Sequence, residues 1–391
     1  MDIRMAMNTT APQGYRLRLP GPTEVPNRVS EAIARTTLSH RGPEFRATLA
    51  AAEERLQPVL GTKNRVLFFA SSGSGLMEAA LINVASPNSR LLIVSHGQFG
   101  ERFANIAQTF GIPADVIDTP WGDDIDIGAV EERLRAADYR AIVVVHNESS
   151  TGIVSDLASL GALVRERPTL LVVDSVSGLG GIEIRQDEWG LDIVVSASQK
   201  ALMCPPGVAL ASISPKAWKV INGNDRCPAF YWDFRRALAA AEKGETAFTP
   251  AVGILSGLLE ALEMIHEEGL PEVLARHARL SGALRAGGSA IGLDQFGLGS
   301  RRSNTVVVFK PPPPTAGSDI VRALYDQYRT VVAGARNKLS GKVVRLGTMG
   351  AFDVGTILTD VCHLETVLAK LGHPVLPGAA VSAVQKHLVA N

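Results

Sequence analysis

Short apolar runs that are typical of buried parallel strands recur along the first half of this 391-residue chain. Segments with helical patterning separate these runs, so that strand and helix alternate. The runs cover residues 66–70, 91–94, 141–145, 170–173 and 192–197. The alternation predicts an α/β fold on a doubly wound, parallel or mixed sheet, which binds ligands beyond the carboxyl ends of its strands.

Two of the predicted strands end in residues that can carry chemistry. The run 170–173 leads into Asp174, and the run 192–197 leads into Ser198, Gln199 and Lys200. A carboxylate for a pyridinium nitrogen and a lysine for a Schiff base are the two groups that pyridoxal phosphate (PLP) requires. Taken singly, a strand-end aspartate is more often a helix cap, and most lysines have no chemical role. The pair therefore needs support from the rest of the chain.

The segments VVDSVSGLGG and SQKALMCPPG around these residues resemble class V aminotransferases of fold type I. Within them, the chain is most similar to the alanine–glyoxylate and serine–glyoxylate aminotransferase group, from about Leu19 to the motif around Arg345. The resemblance implies a large domain with a seven-stranded, mostly parallel sheet and a smaller α/β C-terminal domain. We predict an N-terminal arm at 1–18, a PLP-binding domain at 19–269 and the small domain at 270–391.

The resemblance also implies which residues bind PLP. Lys200 would hold the cofactor covalently and move the substrate proton, and Asp174 would face the pyridine nitrogen. The remaining cofactor contacts implied by the family are Ser74, Gly75, Leu76, Phe99, Ser149, Val176, Gln199 and Thr249. Thr249 would reach the cofactor phosphate of a neighbouring subunit, which implies a homodimer whose site is completed by its partner. Relatives often carry Tyr where Thr246 stands, so a phosphate contact by Thr246 is left open.

Two of these contacts also have a basis in the residues themselves. The Ser/Gly turn at 71–76 opens a helical pattern, and free backbone N–H groups at a helix start attract anions. The turn is neither a dinucleotide fingerprint nor a P-loop. Phe99 follows the strand at 91–94, where a flat side chain can stack on a heteroaromatic ring. The alternative interpretation of Phe99 is a core side chain, and that of Thr249 is a cap of the helix that follows it.

The predicted substrate contacts are Arg345 and Gly21. Arg345 stands on a short apolar strand flanked by glycines, which suits bidentate capture of a carboxylate. Gly21 lies in a Pro-rich segment whose backbone touches substrate in the similar family. Arg336 is near Arg345 in the sequence. A second arginine suits a second negative charge, so substrates with two negative charges are an alternative.

The composition excludes several classes of protein. Lys and Arg together number 39 and so do Asp and Glu, so no charge excess favours nucleic acid or an anionic membrane. The 3 cysteines show no metal-type spacing and are too few for a disulfide framework, which favours a reducing compartment and no bound metal. No apolar run is long enough to cross a membrane. We therefore predict a cytoplasmic enzyme.

The predicted activity is PLP-dependent transamination between a small amino acid (alanine or serine) and a small 2-oxo acid (glyoxylate or pyruvate). The main alternative is another class V aminotransferase that uses ureidoglycine, an aminophosphonate or pyridoxamine as amino donor. A PLP-dependent lyase or cysteine desulfurase is less favoured, because no cysteine suits a mobile catalytic loop. A nucleotide-binding module without PLP is the alternative from a different class of protein.

Overall fold

The computed structural model describes residues 14–390 of the chain. Its strands are β1 (Arg16–Leu17), β2 (Val66–Ser71), β3 (Leu91–Ser95), β4 (Ala114–Asp118), β5 (Ala141–Val145), β6 (Asn147–Glu148), β7 (Ile153–Val154), β8 (Leu170–Asp174), β9 (Ile193–Ala197), β10 (Gly207–Ile213), β11 (Asp294–Gln295), β12 (Val306–Lys310), β13 (Thr330–Val331) and β14 (Val344–Gly347).

The α-helices of the same part of the chain are α1 (Asn27–Ile33), α2 (Pro43–Leu60), α3 (Gly73–Val84), α4 (Gln98–Thr109), α5 (Ile127–Ala136), α6 (Leu157–Val164), α7 (Gln186–Trp189), α8 (Pro215–Asn222), α9 (Phe234–Ala241), α10 (Val252–Glu268), α11 (Leu270–Ala290), α12 (Gly317–Tyr328), α13 (Val354–Lys370) and α14 (Ala379–Ala390). A 3₁₀ turn covers Asn337–Leu339.

A seven-stranded sheet with the order β2-β10-β9-β8-β5-β3-β4 forms the centre of the molecule. Strand β10 is antiparallel to both of its neighbours, and the other pairings are parallel. The predicted seven-stranded, mostly parallel sheet is therefore confirmed. In the ladder, Asp174 pairs with Val145 and Val195, so the ends of β5 and β8 lie side by side beyond the same edge.

Helices cover both faces of this sheet because its central strands are apolar on both sides. Leu92 and Val94 belong to one hydrophobic core, whereas their neighbours Leu91 and Ile93 belong to the other. The side chains of a strand alternate between its faces, so a run without polar residues supplies two cores at once. The site at the strand ends is thus built on a rigid, doubly covered sheet.

The C-terminal part of the chain has a core of its own. Helices α11 to α14 enclose the three-stranded sheet β11-β12-β14. Helix α11 begins at Leu270 and contributes to two cores, with Val273 in the first and Leu284 in the C-terminal one. The predicted boundary between 269 and 270 stays a prediction.

The start of the described chain is attached to this C-terminal part. Strand β1 pairs in parallel with β13, and the buried side chain of Arg18 forms an ion pair with Asp360 at 2.7 Å. Residues 1–13 of the predicted arm at 1–18 lie outside the described residues. Within residues 14–390, no helix is both long enough and apolar enough to span a bilayer.

Candidate active site

Asp174 lies at the tip of β8 and is only 3% exposed. Its Oδ1 accepts a hydrogen bond from the backbone N–H of Val176 at 2.7 Å, and no other described residue donates to the carboxylate. Burial raises the pKa of Asp174 to about 6, and the nearby charge of Glu148 acts in the same direction. The floor of the site is therefore a carboxyl group with unused hydrogen-bonding capacity.

Lys200 follows β9 and faces the same space. Its Nζ donates a hydrogen bond to the backbone carbonyl of Pro20. Burial lowers the pKa of Lys200 to about 8, with Asp174 opposing this effect and Arg345 and Arg102 adding to it. An amine with this pKa is partly neutral near physiological pH, as a nucleophile or general base must be.

A cavity of about 290 Å³ joins these two groups. Eight of the predicted site residues line it: Gly21, Ser74, Phe99, Ser149, Asp174, Val176, Gln199 and Lys200. Gly75, Leu76, Thr249 and Arg345 are not among the lining residues. The sequence analysis missed several others, which are Pro22, Ser72, Gly73, Met77, Arg102, Val145, Asn147, Ser177 and Pro206.

The N-terminus of α3 forms one wall of the cavity. Ser72 precedes the helix, and its hydroxyl accepts no hydrogen bond from the first turn, although its backbone carbonyl accepts one from the Gly75 N–H at 3.1 Å. A Cβ on Gly73 would collide with the side chain of Val176, so glycine is required for this close approach. The side chain of Leu76 is fully buried in the core, which leaves only its backbone for an anion. The wall can bind a phosphate through backbone groups and the helix dipole.

Phe99 is held by a carboxylate that the sequence analysis did not identify. Glu148 is fully buried, and its Oε2 accepts hydrogen bonds from the N–H groups of Phe99 at 2.9 Å and Gly100 at 3.1 Å. The Ser150 hydroxyl accepts a hydrogen bond from the N–H of Gln98, which precedes Phe99 in the same turn. Glu148 and Ser150, which follow β5, thus cap the N-terminus of α4 and fix the backbone that carries Phe99.

Arg345 lies on β14, just behind the cavity. Its Nε donates to the carbonyl of Gly334 at 2.8 Å, and one terminal nitrogen donates to the carbonyl of Ser149 at 2.9 Å. Burial lowers its pKa, and no carboxylate among the described residues forms an ion pair with it. Arg336 is exposed, and its charge also lowers the pKa of Arg345. Arg345 is thus a half-buried cation beside the site, on which the charge of Glu148 acts only through space.

Thr249 lies away from the cavity, in the exposed segment between α9 and α10. Thr246 donates its hydroxyl hydrogen to the carbonyl of Phe248 at 2.7 Å. The ring of Tyr231 stacks on Phe248 with centroids 4.6 Å apart. The structure contains a single chain, so the predicted contact of Thr249 with a neighbouring subunit stays a prediction.

The residues present fit pyridoxal phosphate. Two amide side chains that line the cavity, Asn147 and Gln199, have a buried oxygen without a partner among the described residues. Asn147 is only 1% exposed, so bulk solvent does not reach its side chain. Together with the open carboxyl of Asp174, these atoms suit a polar ligand in the cavity. In the described part of the chain, no group of three His, Cys, Asp or Glu side chains is placed to hold a metal ion.

Comparison with known proteins identifies the family. The model for class V aminotransferases matches residues 20–337. A chain from Synechococcus sp. named "Soluble hydrogenase, small subunit" is 36% identical over 95% of this chain and 98% of its own. An L-aspartate–glyoxylate aminotransferase of Paracoccus denitrificans is 34% identical over 94% of this chain and 95% of its own.

A solved structure gives the same result. The ureidoglycine–glyoxylate aminotransferase of Bacillus subtilis has a TM-score of 0.93 and 28% identity, over 98% of this chain and 100% of its own. The chain belongs to the class V aminotransferase family and is an aminotransferase. The predicted family and enzyme class are confirmed.

Proposed function

We propose that the protein catalyses PLP-dependent transamination between a small amino acid, alanine or serine, and a small 2-oxo acid, glyoxylate or pyruvate. The observation that carries this proposal is the shared cavity of Lys200 and Asp174, bounded by the N-terminus of α3 and by Phe99. In the order given, these features would serve the aldehyde, the pyridine nitrogen, the phosphate and the ring of the cofactor.

The residues divide into those that hold the cofactor and those that act on the substrate. Ser74, with the backbone of Gly75 and Leu76, would bind the phosphate, Phe99 and Val176 would lie against the ring, and Ser149 and Gln199 would donate to its polar edge. Bound PLP supplies an electron sink for the negative charge that develops on the substrate Cα. Asp174 would face the pyridine nitrogen and favour its protonated form.

Lys200 and Arg345 would act on the substrate itself. Arg345 would bind the α-carboxylate through a forked pair of hydrogen bonds, which orients the Cα–H bond. The Lys200 amine, free once substrate has replaced it, would take the proton from Cα and deliver it to the carbon on the other side of the substrate nitrogen. A side chain at Gly21 would collide with Lys200, so glycine at this position leaves room for the amine and a small substrate.

Support for the acceptor is stronger than support for the donor. The Paracoccus and Bacillus relatives are both named for glyoxylate, whereas the donors in their names are aspartate and ureidoglycine. The cavity of about 290 Å³ favours a compact donor. Ureidoglycine, an aminophosphonate and pyridoxamine remain the alternative donors.

We also propose that the enzyme works as a homodimer in the cytoplasm. Phe230, which precedes α9 and is 68% exposed, packs against the half-buried Phe248, the neighbour of Thr249. An exposed aromatic side chain near a predicted phosphate ligand supports an interface at this position. The cysteines of the described chain are all free, which supports a reducing compartment.

The visible spectrum of the purified enzyme tests the activity. We expect an absorbance band from lysine-bound cofactor, which single amino acids bleach in the absence of a 2-oxo acid. Alanine or serine should bleach it faster than aspartate or pyridoxamine, and glyoxylate should restore it. A colourless protein that gains no band when PLP is added would refute the cofactor. If only aspartate or ureidoglycine bleaches the band, that compound is the amino donor and the proposal of alanine or serine is wrong.

Replacing Arg345 by Gln should raise the KM for the amino donor by roughly 10- to 100-fold, because a carboxylate loses charge-assisted hydrogen bonds. Arg345→Lys should recover only part of this loss, since an ammonium cannot form the fork. Steady-state kinetics over donor concentration measure the effect. Arg322→Gln, which removes an exposed arginine paired with Asp319, serves as the control. An unchanged KM in Arg345→Gln would mean that another residue binds the α-carboxylate of the substrate.

A further inference from the structure

Arg102 is an unneutralised cation on the wall of the active-site cavity. It stands one turn after Phe99 on α4, and it lines the cavity together with Ser74. One of its terminal nitrogens donates to Ser74 Oγ at 2.7 Å, and its guanidinium carbon lies 4.5 Å above the centre of the Phe99 ring. Both contacts orient the side chain without neutralising its charge.

No described acid pairs with this arginine. Arg102 forms no ion pair with any carboxylate between residues 14 and 390. Glu148 is already occupied by the N–H groups of Phe99, Gly100 and Ser150 and by the Ser150 hydroxyl. The charge of Arg102 reaches Asp174 and Lys200 only through space, where it lowers the pKa of both. A half-buried arginine at a cavity with no acidic partner requires an anion from the ligand.

We propose that Arg102 binds the phosphate group of the cofactor, an inference that rests on the proposed function. Its nitrogen already contacts the serine at the N-terminus of α3, where no side chain caps the helix and the helix dipole favours an anion. Leu76, in the first turn of the same helix, is apolar and buried, so its side chain offers the phosphate no donor. The guanidinium fork of Arg102 supplies the positive charge that backbone groups alone lack.

The Phe99 ring has a second task in this arrangement. Cation–π contact holds the guanidinium over the ring, so the ring contact and the proposed phosphate contact come from two residues one turn apart. Glu148 caps that turn and thereby fixes both side chains through the backbone. The first turn of α4 thus forms one rigid unit that recognises two parts of one ligand.

The test compares two ligands that differ only in the phosphate. Apoenzyme is titrated with PLP and with pyridoxal, and binding is followed by the visible band and by quenching of tryptophan fluorescence. Arg102→Gln should weaken PLP binding roughly 10- to 100-fold and leave pyridoxal binding unchanged. It should also reduce the thermal shift that inorganic phosphate gives the wild-type apoenzyme. Arg102→Lys should lie between the two, because it retains the charge and loses the fork.

Arg133→Gln, on the exposed face of α5, is the matched control and should bind both ligands as the wild type does. Equal weakening of PLP and pyridoxal in Arg102→Gln would overturn the inference in favour of a general structural role. Unchanged PLP affinity with a raised KM for the amino donor would also overturn it, because Arg102 would then bind substrate carboxylate. A wild-type apoenzyme that binds neither ligand would refute the proposed function itself.

Discussion

Lys200→Ala should lose the visible band of lysine-bound cofactor and reduce the transamination rate by roughly 10⁴-fold or more. General acid–base catalysis alone contributes roughly 10²–10⁴-fold, and this substitution also removes the covalent attachment. PLP should still bind non-covalently, because the anion-binding wall at α3 and the Asp174 carboxyl are untouched. Absorbance after gel filtration and single-turnover rates with the preferred donor measure the two losses separately.

A small primary amine provides a sharper readout for the same variant. Methylamine fits the space that the Lys200 side chain vacates, so it should restore part of the proton transfer in Lys200→Ala. Lys216→Ala is the matched control. Lys216 donates a hydrogen bond to the carbonyl of Thr169, which precedes β8 and so lies at the end of the strand remote from Asp174. That variant should retain the band. A Lys200→Ala enzyme that keeps a reducible covalent band would refute the assignment of Lys200.

The sequence predicts the central strands and the edge at which the site lies, and the physical reason is burial. A parallel strand covered on both faces reads as a continuous apolar run, so β3, β5 and β8 are visible in the sequence. Two other strands are not visible as apolar runs. Strand β4 lies at the edge of the sheet, is partly exposed and carries Asp115. Strand β10 begins at the glycine of a Pro-Pro-Gly sequence, which is typical of a turn.

The residues that the sequence analysis missed owe their importance to tertiary contacts. Arg102 lies within a helix, where a charged side chain is most often solvated, and only the fold brings it to Ser74. Glu148 stands in a polar stretch after β5, and nothing in its sequence distinguishes a buried cap from a surface acid. Residues at neighbouring strand ends lie together because the geometry of the sheet forces them to, so the sequence pattern indicates their position. Residues on helices and loops from other parts of the chain carry no such signal.

Asp174→Asn should reduce the transamination rate by roughly 10²–10³-fold, because a neutral amide no longer stabilises positive charge on the pyridine nitrogen. The substitution is isosteric, and the amide oxygen can still accept the Val176 N–H. Binding of PLP should change less than the rate, since the phosphate and ring contacts remain. Asp126→Asn, at the exposed N-terminus of α5, is the matched control, because Asn caps a helix as well as Asp does.

The same variant should make the apoenzyme more stable. The folded chain raises the pKa of Asp174 from 3.8 to about 6, so the folded state binds the proton more tightly than the unfolded state. The stabilisation from this proton is complete below the unfolded pKa and is lost as the pH rises through about 6. Ionised Asp174 therefore costs the apoenzyme about 3 kcal/mol above that pH. Asp174→Asn should remove this cost.

Urea unfolding of both apoenzymes between pH 4 and pH 8, at one protein concentration, separates the two roles of this carboxylate. We expect the two stabilities to be closest near pH 4, to separate as the pH rises towards 6, and to differ by a constant amount above it, with the variant the more stable. PLP should narrow the difference, because a protonated ring nitrogen neutralises the ionised carboxylate of the wild type. A wild-type chain that loses no stability relative to the variant would mean that Asp174 is solvated. A carboxylate that lowers the stability of the apoenzyme and raises the rate of the PLP-bound enzyme is retained for its chemistry, since an amide at this position would give a more stable fold.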